Sequence, residues 1–380
     1  MARAPDMNLL SKYESRPKCI LITDNFPPKG GGVSRYYAGL ASSYGPAMQV
    51  CSPQTRDSNG PSEHPCLPAG TNRRGQLNQA LAAARIFRHT EDHIVLLGHP
   101  HLGLLTTLMP RSHPVGMIIH GGEWQEFERL KRLLYAVEAR CDFIIVNSGA
   151  TATNWLDSRL ADKIVILRPG LDGEWIAKGA AASAGQSSSS PNRPFRLLTV
   201  ARLVPRKGIG ETARVVADLR QQGQDVELRI VGDGPLLPEL RRAFRSEPAI
   251  QFLGLLSDDN LQRSYEWANA FVLCPHTITG GEGYEGFGIV YLEAAAYGLP
   301  IVATVSGGVA EALDPAGSLT AQPNDWEAVS ENLRLLLRMP QAKLSEMREV
   351  NLRWAGHNAW SRRSDELANS LKERISSVRH

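Results

Sequence analysis

Two carboxylates stand eight positions apart in the run "EGFGIVYLE": Glu285 in a glycine-rich loop and Glu293 in an alanine-rich stretch closing at Gly298. The pattern predicts a helix that starts near Gly288 and ends at a glycine C-cap. Its first free N–H groups and its dipole suit a phosphate. Glu285 then precedes the phosphate, and Glu293 follows roughly 8 Å along the helix axis. A ligand with a diphosphate in its middle would meet one carboxylate at each end, where sugar hydroxyls pair well with carboxylates. A loop acid and a solvated helix acid form the plainer account, which leaves the loop glycines without a reason.

The cations that such a ligand needs stand in "ARLVPRKG", between a strand-like run and a helix-like one. Arg202 offers a planar fork and Lys207 a point charge, a pair suited to a diphosphate; solvated surface cations are the alternative, and Arg206 is read as that kind. His120 follows an apolar run in "IIHGGE", as a sugar-facing imidazole or as a hydrogen-bonded structural one. Gly30, Gly31 and Gly32 fill a strand-to-helix turn where a backbone approaches an anion closely. The spacing is not G-x-G-x-x-G, and "MQVCSP" ends without an acid for a ribose, which argues against a dinucleotide fold. Gly232 and Gly234 around Asp233 mark either a tight turn or a seat for a base.

The elements that must position these groups are legible as short apolar runs between helical stretches. "KCILITDNF", "MQVCSP", "HIVLLGH", "VGMIIHGG", "DFIIVNS" and "KIVILRPG" read as buried strands, and the alternation restarts with "FRLLTVARL", "VELRIVGDG", "AIQFLGLL", "AFVLCPH" and "PIVATVSGG". Strands that alternate with helices predict parallel sheets covered on both faces. The stretch 177–194, rich in Ser, Ala and Gly, reads as a linker or surface loop between two α/β halves. Ligands of such sheets bind beyond the carboxyl ends of the strands.

The 380 residues fit two domains. A net charge of +3 gives little support to nucleic-acid binding. Five scattered cysteines form no C-x-x-C pair, so neither a zinc site nor a disulfide framework is indicated, and a reducing compartment fits. The N-terminal residues carry no apolar core of a secretory signal, and no apolar run reaches the ~20 residues of a membrane span. A cytoplasmic protein is expected, with peripheral contact at the inner membrane face open to it.

These motifs resemble the retaining glycosyltransferases of family 4, which have the GT-B fold: two Rossmann-like doubly wound α/β domains facing a central cleft. "EGFGIVYLEA" matches the family's E-x7-E signature, "ARLVPRKG" its phosphate loop, "GGGVSRY" its first glycine loop and "HGGE" its histidine segment. "VGDGP" and "FLGLLSDDNL" match the segments that hold the base. The resemblance implies that Arg202 and Lys207 bind the donor diphosphate and that Glu293 binds the ribose. Glu285, with the backbone at Phe287, Gly288 and Ile289, would hold the sugar and its phosphate. His120 would face the sugar, Gly31 and Gly32 would close over the phosphates, and Gly232, Asp233, Leu255 and Leu256 would line the base. The domains implied are 1–176, a linker 177–194 and 195–359, with 360–380 crossing back to the first.

A departing nucleoside diphosphate carries negative charge, and no D-x-D metal motif stands here. The cations and the helix N-terminus can supply the positive potential. The expectation is therefore metal-independent transfer with retention through an oxocarbenium-like state and without a cofactor. The donor resembled most is GDP-mannose, with UDP-sugars the alternative; the acceptor is a glycan, glycolipid or small-molecule hydroxyl. Arg73, Arg74, Arg85, Arg88, Arg129, Lys131 and Arg132 are either solvated or turned to an anionic lipid surface. A sugar-nucleotide epimerase, a phosphorylase and a non-catalytic nucleotide-sugar-binding protein are the competing classes. "GGEGY", residues 280–284, departs from the family's loop with Glu282 and Tyr284 and is a candidate specificity segment.

Overall fold

The structure is a computed structural model that describes residues 15–52, 93–100, 102–103, 113–121, 140–156, 161–185, 194–276 and 285–378. The seven cations singled out between 73 and 132, and the segment 280–284, lie outside the described residues. The chain divides into two compact units, Met1–Gly170 with Trp360–His380, and Leu171–Ala359.

In the first unit the apolar runs form β1 (Cys19–Ile22), β2 (Met48–Cys51), β3 (Ile94–Leu97), β4 (Val115–Ile119), β5 (Phe143–Val146) and β6 (Ile164–Ile166). All pair in parallel, in the order β2-β1-β3-β4-β5-β6. β1, β3, β4 and β5 are buried along their whole length, as interior parallel strands are, and so read as continuous apolar runs. Alternate residues divide between two cores. Ile20, Ile22, Val95, Leu97, Met117 and Ile119 pack with Trp155 on one side. Cys19, Leu21, Ile94, Leu96, Ile118 and Ile145 pack on the other with Tyr36, Tyr37, Leu40 and Tyr44 of α1 (Gly32–Tyr44). The terminal helix Trp360–Val378 covers that same face through Trp360, Leu367 and Leu371.

Arg16 fastens these two helices. Its buried guanidinium donates to the Ser43 and Tyr44 carbonyls at 2.7 and 2.9 Å and to Asp365 Oδ1 at 2.6 Å. It thereby satisfies orphan carbonyls at the α1 C-terminus, where a cation also complements the dipole. At the far end of the terminal helix, Arg374 donates to the Asp162 carbonyl at 2.6 Å.

A short helix α2 (Gly149–Thr153) closes the first unit's sequence of elements before β6. The second unit opens with α3 (Gly173–Gly185), and this corrects the sequence reading of 177–194 as linker: residues 177–185 are helical. The small residues that suggested a linker serve packing instead. A Cβ on Gly179 would lie 2.3 Å from the Ala296 carbonyl oxygen, so the helix crosses its neighbour almost backbone to backbone.

Its sheet holds β7 (Phe195–Val200), β8 (Val226–Val231), β9 (Ile250–Gly254), β10 (Ala270–Leu273), β11 (Ile301–Thr304) and β12 (Ser318–Ala321). The order is β12-β11-β10-β7-β8-β9, again all parallel. Helices α4 (Ile209–Gln221), α5 (Leu237–Ala243), α6 (Asp258–Trp267), α7 (Ile289–Ala296), α8 (Val309–Ala312), α9 (Trp326–Leu337) and α10 (Gln341–His357) complete it. The chain runs outward from β7 through β8 to β9, then resumes at β10 on the other side of β7. That reversal makes the carboxyl ends of β7 and β10 a topological switch point, where an open α/β sheet takes its ligand. In the first unit the equivalent point lies between β1 and β3.

Gly39 tests the packing of the terminal helix. An alanine there would gain up to about 1 kcal/mol of helix propensity. Its Cβ, however, would lie 2.0 Å from Nε1 of the buried Trp360 indole. We expect Gly39→Ala to lose a net 1–3 kcal/mol, roughly the cost of overpacking a core, by urea unfolding. A variant as stable as the wild type would show that the two helices separate without cost.

Candidate functional site

The loop leaving β7 bends through a tight turn at Pro205–Lys207 and enters α4 at Gly208, whose φ is +63°. A Cβ on Gly208 would lie 2.2 Å from the Cys274 carbonyl oxygen. Glycine there lets the cation loop lie directly on the exit of β10. The His276 N–H donates to the Arg206 carbonyl at 2.9 Å, and the Gly308 N–H donates to the Glu285 carbonyl at 2.9 Å. Loops following β7, β10 and β11 are thus tied together by their backbones.

At their meeting point the Lys207 ammonium donates to Glu285 Oε2, and Arg206 Nη1 reaches the same oxygen at 3.0 Å. Lys207 is 8% exposed and Glu285 9%. Burial pushes the Glu285 carboxyl up, but the charges of Lys207 and Arg206 and their hydrogen bonds outweigh it and hold it below its ordinary value. Arg206, taken in the sequence for a solvated cation, is therefore part of the ion pair. Arg202 is exposed at the loop's start.

Gly288 has φ +89° and starts α7 with no side-chain cap bond. A Cβ there would meet the Tyr291 ring at 2.5 Å, so the helix begins at a position only glycine fits. The first-turn N–H groups begin four residues beyond Glu285. The Phe287 side chain belongs to the core, so that residue can offer only its backbone to a ligand, while Ile289 is half-buried. Glu293 is 2% exposed and accepts the Tyr265 hydroxyl of α6 at 2.8 Å.

The turn after β8 packs on the cation loop. A Cβ on Gly232 would lie 1.9 Å from the Ala201 carbonyl oxygen, and one on Gly234 2.4 Å from that of Leu203. The Asp233 carbonyl accepts the Leu203 N–H at 2.8 Å. Close backbone packing thus accounts for both glycines. The Gly232 N–H donates to the Gly254 carbonyl at 2.9 Å, which brings Leu255 beside this turn with its side chain 77% exposed. Leu256 packs against the core.

In the first unit Gly31, at φ +112°, precedes α1, and Gly32 is the helix's first residue. Open space surrounds the Cβ direction of Gly31. His120 leaves β4 between the rings of Tyr36 and Tyr37, both edge-on, at centroid distances of 4.7 and 5.1 Å. Its Nε2 lies 2.9 Å from the Tyr37 hydroxyl. Burial first, and the nearby His99 second, push its pKa down to about 3. The imidazole is neutral at physiological pH.

Sequence reasoning missed Arg206, Tyr265 and Tyr37. Arg206 had a signal, its place beside Lys207; the two tyrosines had none, since their partners lie 28 and 83 residues away. Among the described residues no three His, Cys, Asp or Glu side chains gather as metal ligands.

The two parallel sheets define a class of fold, the two-domain GT-B α/β fold. The fold matches solved structures along nearly its whole length: sucrose-phosphate synthase from Thermosynechococcus elongatus (TM-score 0.71, 18% identity, 95% of this chain and 100% of that one). A second match is Anabaena Alr3699/HepE in complex with UDP-glucose (TM-score 0.70, 17% identity, 94% and 99%). Over residues 183–352 the chain matches the family Glycosyl transferases group 1. It is 28% identical over 381 aligned positions to a GDP-mannose-dependent alpha-(1-6)-phosphatidylinositol monomannoside mannosyltransferase of Mycolicibacterium smegmatis, covering 93% of this chain and 98% of that protein. It is 38% identical over 140 residues to a GDP-mannose-dependent monoacylated alpha-(1-6)-phosphatidylinositol monomannoside mannosyltransferase of Corynebacterium glutamicum, 37% of either chain.

The ion pair makes an acid-dependent contribution to stability. Because the folded pKa of Glu285 is depressed, its contribution is fully present above the unfolded value, 4.5, and fades as pH falls through the folded one. The stability difference between wild type and Glu285→Gln, from urea unfolding, should hold above the unfolded value of 4.5 and shrink as pH falls below it. A difference that stays constant as pH falls would mean the carboxylate is not held by its cations.

Proposed function

We propose that the protein transfers mannose from GDP-mannose to a hydroxyl of a membrane glycolipid, with retention and without a metal ion. The observation that carries the reading is the buried Glu285–Lys207–Arg206 cluster at the switch point, next to the start of α7. Two cations and one carboxylate leave a net positive charge, which a diphosphate would neutralise. When the donor enters, its phosphate oxygens compete for the Lys207 and Arg206 protons, and Glu285 is released to accept sugar hydroxyls. Arg202, exposed on the same loop, supplies a further cation. Glu293, fixed by Tyr265, takes the ribose, and Leu255 offers an apolar surface to the base beside Gly232 and Asp233. Leu256 supports that segment from beneath, and the backbone at Phe287, Gly288 and Ile289 meets the phosphate. Gly31 and Gly32 serve the phosphates and the acceptor, and His120 faces the sugar.

In the reaction the bond between the sugar's anomeric carbon and the β-phosphate oxygen breaks, through an oxocarbenium-like state. The acceptor oxygen bonds to that carbon on the same face, and its proton passes to the departing phosphate. Preorganised positive groups in a dry site stabilise the charge on the leaving group with little reorganisation. No cofactor is required. GDP-mannose is favoured because the mannosyltransferase relative spans nearly the whole chain. The same relative acts on a phosphatidylinositol monomannoside, which supports a glycolipid acceptor met at a membrane surface. Among the described residues no helix is long and apolar enough to cross a membrane, so peripheral contact is the form proposed.

The test is a thermal-shift comparison of GDP, UDP, ADP and their sugars in EDTA. At about 100 times its dissociation constant a ligand stabilises by ~2.7 kcal/mol, so the preferred base stands out. Stabilisation by UDP-sugars alone would overturn the donor assignment, and none by any nucleotide would overturn the site. Lys207→Ala and Glu293→Gln should each lower donor turnover by 10²–10³-fold, on the order of losing one preorganised contact. Full turnover in both refutes the assignment of these residues.

A further inference from the structure

We propose that Tyr37 is a positioning residue that locks His120 into one tautomer, with Nε2 protonated and Nδ1 carrying the lone pair. The inference deepens the reading of His120 as the group facing the transferred sugar and rests on it.

The argument is one of hydrogen-bond polarity. A phenol has a single proton to donate. The Tyr37 hydroxyl is fully buried and lies 2.5 Å from the Gly98 carbonyl oxygen, which can only accept. The proton therefore points to Gly98. His120 Nε2, 2.9 Å away, then faces a hydroxyl oxygen that has only lone pairs left, and Nε2 must be the donor. In a neutral imidazole this leaves Nδ1 as the acceptor.

Three further features hold this relay in place. A Cβ on Gly98 would meet the Thr23 side chain at 2.8 Å and the Tyr37 ring at 3.0 Å, so glycine is what admits the phenol to that carbonyl. The Gly98 N–H donates to the Ile22 carbonyl at 2.8 Å, which ties the carbonyl to the end of β1. Tyr36, whose own hydroxyl donates to the Leu167 carbonyl at 3.2 Å, packs edge-on against the imidazole and against Trp360 behind it.

The experiment is NMR of the full chain labelled with 13C and 15N in histidine, with His120 assigned by comparison with His120→Gln. The wild type should show His120 protonated at Nε2 at neutral pH. Tyr37→Phe, which keeps the ring and removes the acceptor, should shift His120 toward the Nδ1-protonated form. It should also lower kcat about tenfold, the value of one lost hydrogen bond, with KM for the donor little changed. A wild-type His120 protonated at Nδ1 overturns the proposal, and that spectrum needs no variant to fold. An unchanged tautomer with unchanged kcat in Tyr37→Phe overturns it as well. His120→Gln separates the two readings: full turnover in that variant refutes the role of His120 at the sugar, while the tautomer stands or falls on the spectra alone.

Discussion

A carboxylate that is nearly out of water must be paired, and the arrangement of the second unit follows from how Glu285 meets that demand. Stripped of Lys207 and Arg206 it would take up a proton rather than stay charged. Bringing both cations to one oxygen requires the loop after β7 to lie on the exit of β10. That in turn requires glycine at 208, where any Cβ would strike the Cys274 carbonyl. The backbone bonds from His276 to Arg206 and from Gly308 to Glu285 hold the three loops at the distance the ion pair needs. The switch point supplies the opening between strands, and the charges decide what fills it.

The remaining polar groups of the two sites are held in a different way. Glu293 and His120 are each met by a buried phenol from a neighbouring helix, Tyr265 and Tyr37. A buried tyrosine hydroxyl needs a partner, and a rigid ring carries it to one place with few rotamers. Both phenols sit in aromatic clusters: Tyr265 stacks on Tyr297 at 5.4 Å, and Tyr37 meets Tyr36 edge-on at 5.6 Å. Such packing fixes a functional group without adding charge near it.

Eleven of the strands were legible as short runs dominated by apolar residues, most plainly where every residue is buried, as in "CILI" and "IVLL". β12, "SLTA", was not, since half of its residues face outward and two carry hydroxyls. The helix α3 was misread for a related reason: Ala, Gly and Ser are shared by flexible linkers and by helices that approach closely, and composition does not separate the two. Glu285 and Lys207 stood out because glycines mark their loops, and Glu293 because it stands eight positions after Glu285 in the helix that follows. The tyrosines were not, because tertiary folding alone brings Tyr37 to His120 and Tyr265 to Glu293. Arg206 was missed because adjacent residues in an extended loop point apart; the tight turn at Pro205–Lys207 makes both face Glu285.

The exchangeability of the ion pair links the two halves of the donor on the proposed reading. Removing the partners of a buried charge costs about 3–5 kcal/mol. A diphosphate that takes Lys207 and Arg206 imposes that cost on Glu285 unless something replaces them. Sugar hydroxyls can do so, since hydrogen bonds to a charged group are worth about 1.5–3 kcal/mol each. Phosphate and sugar are therefore accommodated together: the diphosphate frees the carboxylate, and the sugar satisfies it. As the sugar departs, Glu285 loses its new partners and returns to the cations, competing with the nucleoside diphosphate that still holds them. The carboxylate that orients the donor thus also weakens the site's hold on the product.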